Sequence, residues 1–102
     1  RDAGDFKALE GAAERALFVD PANPRVHGML GQAYLQNAKP AQALIELDRA
    51  LLLGAARPGR IQLARGKALL ALGRRKEAAQ AATQAVLADP SLKTAADRLS
   101  AR

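Results

Sequence analysis

Two stretches of this sequence match each other when one is displaced by 35 residues. The matching pairs are Gly31 with Gly66, Ala33 with Ala68, Ala43 with Ala78, and Ala50 with Ala85. A third, partial copy precedes them at a displacement of 34 residues, in which Leu9, Ala16, Leu17 and Val19 correspond to Ala43, Ala50, Leu51 and Leu53. A repeat of this length indicates that one small structural unit is stacked several times along the chain.

The spacing of apolar residues within each copy predicts helices. They recur at steps of three and four residues, which places them on one helix face, as in Val26, Leu30, Ala33 and Tyr34. Pro40 interrupts this pattern at a place where a second helix can begin, and Gly73 occupies the place where the first helix of the next copy can end. Each copy is therefore predicted to form two helices joined by a tight turn.

The whole pattern predicts an all-α fold with about six helices. Ala and Leu dominate the 49% of the chain that is hydrophobic, and both are strong helix formers. Ser91 is the expected N-cap of the last helix. The expected helices cover about residues 5–19, 24–37, 40–53, 59–72, 75–88 and 91–101.

These landmarks resemble the tetratricopeptide repeat, a helix–turn–helix unit of 34 residues. The residues that carry the resemblance are Gly31, Tyr34, Ala43 and Ala50 in one copy and Gly66, Gly73, Ala78, Ala85 and Pro90 in the next, together with the dipeptide Glu77-Ala78. The resemblance implies an α-α superhelix of stacked antiparallel helix pairs, with the first helix of each pair lining a concave groove. It also implies a protein-interaction scaffold that is not an enzyme and needs no cofactor.

The resemblance implies that residues 1–102 form a single domain. Residues 1–23 correspond to the second helix of a truncated repeat, residues 24–58 and 59–90 to two repeats, and residues 91–102 to a C-terminal capping helix.

The sequence departs from the family at three places. His27 occupies the usual tryptophan position, Gln62 and Arg65 stand at apolar positions, and the connection 54–60 is one residue longer than usual. These departures bear on how helix 59–72 packs.

The groove implied by the resemblance mixes basic, amide and apolar side chains. Such a surface suits a protein or an extended peptide that carries acidic groups. The expected partner-binding residues are Arg25, Met29, Gln32 and Gln36 in one repeat and Arg60, Leu63, Lys67 and Leu70 in the next.

The positive charge is concentrated in the C-terminal half of the chain. The net charge is +6, and residues 59–102 carry nine basic and three acidic side chains. Arg74, Arg75 and Lys76 are consecutive there. A binder of nucleic acid or another polyanion is therefore an alternative function, although base stacking would require aromatic residues that this region lacks. A third alternative is an oligomerisation or spacer module that binds no ligand.

Several other classes of function find no support in the sequence. The chain has no cysteine, which excludes disulfides and thiolate metal sites. His27 is the only histidine and is expected to pack at the edge of the core. No catalytic motif, metal-ligand spacing or apolar run of membrane-spanning length is present. The compartment is not indicated.

The first predicted helix carries an apolar stripe without a partner helix from its own repeat. We expect a missing upstream helix or a second copy of the chain to cover this stripe, and therefore expect self-association. The stripe consists of Phe6, Leu9, Ala13, Ala16 and Leu17.

Overall fold

The computed structural model describes residues 3–101, so residues 1, 2 and 102 of the predicted terminal segments lie outside it. Six α-helices and one short 3₁₀ turn account for most of this range, which confirms the all-α fold. The helices are α1 (Ala3–Val19), α2 (Pro24–Gln36), α3 (Pro40–Leu52), α4 (Pro58–Ala71), α5 (Arg75–Ala88) and α6 (Lys93–Ser100), with the 3₁₀ turn at Pro90–Leu92 before α6.

The helices stack in chain order as antiparallel pairs. Each helix packs against the next one, and connections as short as residues 37–39 reverse the chain direction between them. In addition α2 contacts α4, and α4 contacts α6. We call α2, α4 and α6 the inner layer, and α1, α3 and α5 the outer layer.

Small residues set the distance between the paired helices. Eleven of the fifteen buried hydrophobic residues are alanines. A Cβ atom added to Gly31 would lie 2.7 Å from Leu47, which is fully buried on α3. One added to Gly66 would lie 2.5 Å from Leu99 and 3.3 Å from the carbonyl oxygen of Ala78. The repeated glycines therefore mark the points where neighbouring helices approach too closely for any side chain.

Three helix ends share one backbone arrangement. At the end of α4, Gly73 has φ +77°, and the following N–H of Arg74 donates to the Leu69 carbonyl at 2.9 Å. This closing turn satisfies carbonyls that the helix leaves unpaired. Gly54 plays the same part after α3, whereas the equivalent position after α2 is Ala38, at φ 59°. An alanine in this region is strained, so the first repeat has the less favourable turn.

The N-cap predicted at Ser91 is wrong. Asp89 is the capping residue, and its carboxylate accepts hydrogen bonds from the Ser91 backbone N–H at 3.0 Å and the Ser91 hydroxyl at 2.6 Å. Pro90 fits the first position of a helical turn, so the turn starts two residues earlier than expected. These hydrogen bonds, followed by the positive charges of Arg60 and Arg57, lower the pKa of Asp89.

Polar residues at one repeat position have different surroundings in the two copies. His27 is buried, as expected, and its Nε2 donates to the Pro21 carbonyl at 2.7 Å while its Nδ1 lies 2.7 Å from Glu46. Gln62 occupies the equivalent place in α4, but its buried Oε1 has no partner among the described residues. Ala81 stands where a counterpart of Glu46 would be needed. The second repeat thus keeps a polar group without keeping its partner.

The apolar stripe of α1 faces α2 in large part. Ala13 is buried, Phe6, Leu9 and Leu17 are half-buried, and Ala16 is exposed. Polar side chains beside the stripe join α1 to α2 and to the connection that follows α2. Glu10 accepts from Lys39 and Asn37, which together hold the pKa of its carboxyl below the ordinary value. Burial, helped by the hydrogen bond to Glu14, raises the pKa of Tyr34 to about 12.

Replacing Gly31 by alanine should destabilise the fold. The new Cβ would meet Leu47, which cannot move without opening the core, so we expect a loss of about 1–3 kcal/mol in the free energy of unfolding. Gly11→Ala is the matched control, because its Cβ would meet only the tip of Arg15, at 3.3 Å. Helix propensity should make that control more stable by up to about 1 kcal/mol. Urea denaturation measures both, and equal effects would contradict the close approach at Gly31.

Removing the polar side chain from the shared repeat position should have opposite effects in the two copies. His27→Leu leaves the buried Glu46 carboxylate and the Pro21 carbonyl without this donor, so we expect a loss of about 2–4 kcal/mol. Gln62→Met removes an unpaired oxygen, so we expect a gain of about 0.5–1 kcal/mol. Thermal and urea denaturation of the two variants provides the measurement. Two changes of the same sign would show that our account of these partners is wrong.

Candidate functional site

A surface groove lies between the first half of α2, the start of α4 and the connection from α3 to α4. Its volume is about 620 Å³. Four of the eight predicted partner-binding residues lie together here: Arg25, Met29, Gln32 and Arg60. The remaining lining residues are Pro24, Gly28, Ala55, Ala56, Arg57 and Ile61. We call this set the α2–α4 groove.

The α2–α4 groove combines an apolar floor with three positive charges. Met29 and Ile61 supply the larger apolar surfaces. Arg25, Arg57 and Arg60 are all exposed, and none of them forms an ion pair with another residue in the 3–101 range. No acidic residue lines the groove, although the charges of Arg57 and Arg60 reach Asp89 nearby. The groove can therefore attract an anionic group and bury an apolar one beside it.

Two helices begin at this groove. Asn23 caps α2, and its side-chain oxygen accepts from the backbone N–H groups of Arg25 and Val26 at 3.0 and 3.3 Å. In contrast, α4 begins after Arg57 without a side-chain cap. The positive end of a helix dipole adds to the charge of the nearby arginines. The helix N-termini and the arginine side chains thus both favour a ligand with negative charge.

The other four predicted residues lie outside this groove. Gln36 is exposed at the end of α2, and Lys67 is exposed in the middle of α4. Leu63 and Leu70 are half-buried and pack on a cluster formed by Ala82, Ala96 and Leu99. Both leucines therefore help to hold α6 against α4 and α5.

Sequence reasoning missed part of the groove because it considered only helix faces. Arg57, Ala55 and Ala56 belong to the connection between the two repeats, and Ile61 follows one turn into α4. The signal available in the sequence was the extra residue in the connection 54–60. That longer connection supplies one wall of the groove, together with the third arginine.

Ion pairs reduce the free charge of the basic C-terminal half. Arg74 donates two hydrogen bonds to Glu77, at 2.8 and 2.6 Å, and thereby holds the pKa of the Glu77 carboxyl below its ordinary value. Arg65 is paired with Asp48 at 2.6 Å, and Lys93 with Asp97 at 3.1 Å. These pairs connect elements of the fold or neighbouring turns of one helix. They weaken the case for a continuous basic patch.

The histidine and glutamate side chains considered as possible catalytic groups form hydrogen bonds that hold the fold together. His27 joins Glu46 and Pro21, Glu14 joins α1 to Tyr34 of α2, and Glu10 joins α1 to the connection after α2. Across residues 3–101, no group of three or more His, Asp or Glu side chains is placed to hold a metal ion. None of the helices in that range is long and apolar enough to cross a bilayer.

Comparison with known proteins identifies one part of the chain. Residues 59–92 match the family model described as the tetratricopeptide repeat. No curated protein matches the chain significantly. The matched segment contains α4, α5 and the 3₁₀ turn, and α2 and α3 pack through a glycine in the same manner one repeat earlier. The resemblance seen in the sequence is therefore confirmed, and residues 59–92 are a tetratricopeptide repeat within a stack of helix pairs.

Proposed function

We propose that this chain is a protein-interaction scaffold that binds an acidic peptide in the α2–α4 groove. The observation that carries the proposal is the set of three arginines around an apolar floor, none of which forms an ion pair with any residue between 3 and 101. Tetratricopeptide repeats act in general as scaffolds for protein–protein interaction, which supports a protein or peptide as the ligand.

The chemistry of the groove suggests how the ligand is held. Arg25, Arg57 and Arg60 can donate charge-assisted hydrogen bonds to Asp, Glu or a terminal carboxylate. Met29 provides an adaptable apolar contact for a neighbouring large side chain. Gln36 and Lys67 lie farther along the same two helices, so a longer peptide would reach them. Leu63 and Leu70 would meet such a peptide only with the part of their surface that α6 leaves open.

The organisation of the chain forms part of the proposal. We place the second helix of a truncated repeat at residues 1–23, a repeat at 24–58, a repeat at 59–90 and a capping helix at 91–102. The groove then lies between the two repeats. Self-association through the stripe of α1 stays a prediction.

The competing functions predict different ligands. A polyanion binder would use the Arg74–Lys76 region and would lose affinity steeply as salt rises. A spacer would bind neither peptides nor nucleic acid. We propose binding rather than catalysis, since the polar groups best placed for chemistry are engaged in holding the helices together.

Selection from a random peptide library, with this chain as the bait, tests the proposal. Enriched peptides should carry Asp or Glu next to a large apolar residue. Calorimetry on the best peptide should then show that Arg25→Glu and Arg60→Glu each weaken binding by about 10- to 100-fold, because a repulsive charge replaces an attractive one.

Lys76→Glu is the control, because it makes the same charge change at an exposed position of α5 outside the groove. It should alter peptide affinity less than about twofold. If Lys76→Glu weakens binding as much as Arg60→Glu, or if only random-sequence DNA binds, the groove proposal is wrong. Circular dichroism establishes that each variant remains helical.

A further inference from the structure

The outer-layer helices carry large exposed apolar side chains at one repeat position. Phe18, Leu52 and Leu87 lie 34 and 35 residues apart, so they are equivalent residues near the C-terminal ends of α1, α3 and α5. Their exposed fractions are 93%, 86% and 71%. Val19 and Leu53 extend the exposed surface beside them. We call these five residues the apolar row.

The helix ends that carry the row lie along one edge of the molecule. Leu17, at the end of α1, lines a depression of about 410 Å³ together with Leu52 and Leu53 from α3. Gly59, at the start of α4, approaches Asp89 just beyond the end of α5. Because α4 follows α3 after a short connection, the end of α5 continues the same edge.

The exposed area of the row lies at or above the upper end of the range found for apolar patches on monomers. Five large apolar side chains at these exposures present on the order of 500–700 Å². The largest apolar patch on a typical monomer is about 300–600 Å², and each partner in a standard interface contributes about 800 Å². The row is therefore large enough for a weak but specific interface.

We propose that the apolar row is the interface between two copies of this chain, which pair antiparallel about a two-fold axis near Leu52. In this arrangement Phe18 of one copy packs against the partner's Leu87. The row is its own complement under this rotation because its central and terminal members are all apolar. Arg49 lines the depression beside Leu52 and Leu53, and its charge is balanced by the ion pair with Glu46 at 2.7 Å. The inference is independent of the groove and does not use its residues.

The charge distribution favours the antiparallel direction. Residues 1–24 carry three basic and five acidic side chains, a net charge of −2, whereas residues 59–102 carry a net charge of +6. Antiparallel pairing brings the acidic end of each copy towards the basic end of the other. Parallel pairing would bring the two +6 segments together, which costs free energy.

This interface differs from the α1 stripe that the sequence suggested. Most of that stripe contacts α2, and its one exposed member is the small residue Ala16. The large apolar residues that α1 leaves exposed are Phe18 and Val19, at its last turn. Association through the apolar row therefore depends on the ends of three helices and is separate from any contact along the length of α1.

Sedimentation equilibrium tests the association. The chain should be largely monomeric at about 10 μM and largely dimeric at about 1 mM, as a patch of this size predicts weak affinity. Leu52→Glu should weaken association at least about tenfold, because it places two carboxylates at the axis. Gln42→Glu adds the same charge to an exposed position of α3 and should leave association unchanged. A monomer at every concentration, or equal behaviour of the two variants, would overturn the proposal.

Disulfide trapping tests the direction of pairing, and the absence of native cysteine removes any background. A disulfide requires Cα atoms within about 7 Å, so only facing positions will cross-link. Leu52→Cys should give covalent dimers on oxidation, and Gln42→Cys should not. A mixture of Phe18→Cys and Leu87→Cys chains should cross-link at least about tenfold more than Phe18→Cys chains alone. Preferential cross-linking of Phe18→Cys to itself would overturn the antiparallel arrangement.

Discussion

The close approach of helix backbones at Gly31 and Gly66 is the constraint on which the rest of this structure depends. Leu47 occupies the space that a side chain at Gly31 would fill, and Leu99 does the same at Gly66. Alanines make up most of the other buried hydrophobic residues, which lets the helices pack closely. The large apolar residues that stay exposed, among them Phe18, Met29 and Leu52, lie outside these contacts.

The polar residues show how a repeat can change locally while its packing is preserved. His27 has a carbonyl and a carboxylate as partners, whereas Gln62, at the same position, has a buried oxygen without one. The backbone arrangement is kept in both copies because the glycine and alanine contacts determine it. Arg65, Arg74 and Lys93 are held in ion pairs, whereas Arg25, Arg57 and Arg60 line one groove and form no ion pair within residues 3–101.

The connections between repeats determine where binding surfaces form. The connection from α3 to α4 contributes Arg57 to the groove on the inner layer, and the helix ends beside it carry the apolar row on the outer layer. A solenoid can therefore present two surfaces of different chemistry at one edge. The groove is suited to a charged ligand, while the row is suited to its own copy. A dimer built through the row would hold two grooves on one particle, which would raise the avidity for a partner with two binding segments.

The sequence by itself determined the helices and the way they pair. Periodic apolar residues, Pro40 and Gly73 act locally, so the helix bounds were predictable to within about two residues. The repeated glycines stand where neighbouring helices make their closest contacts. Only the tertiary structure decided which residues share a groove, because Arg57 reaches it from a connection and Leu63 and Leu70 turn towards α6. It alone also decided that Asp89 caps the last turn and that Phe18, Leu52 and Leu87 stay exposed. Such outcomes depend on which helices become neighbours, and a local pattern carries no information about the distance between residues from different repeats.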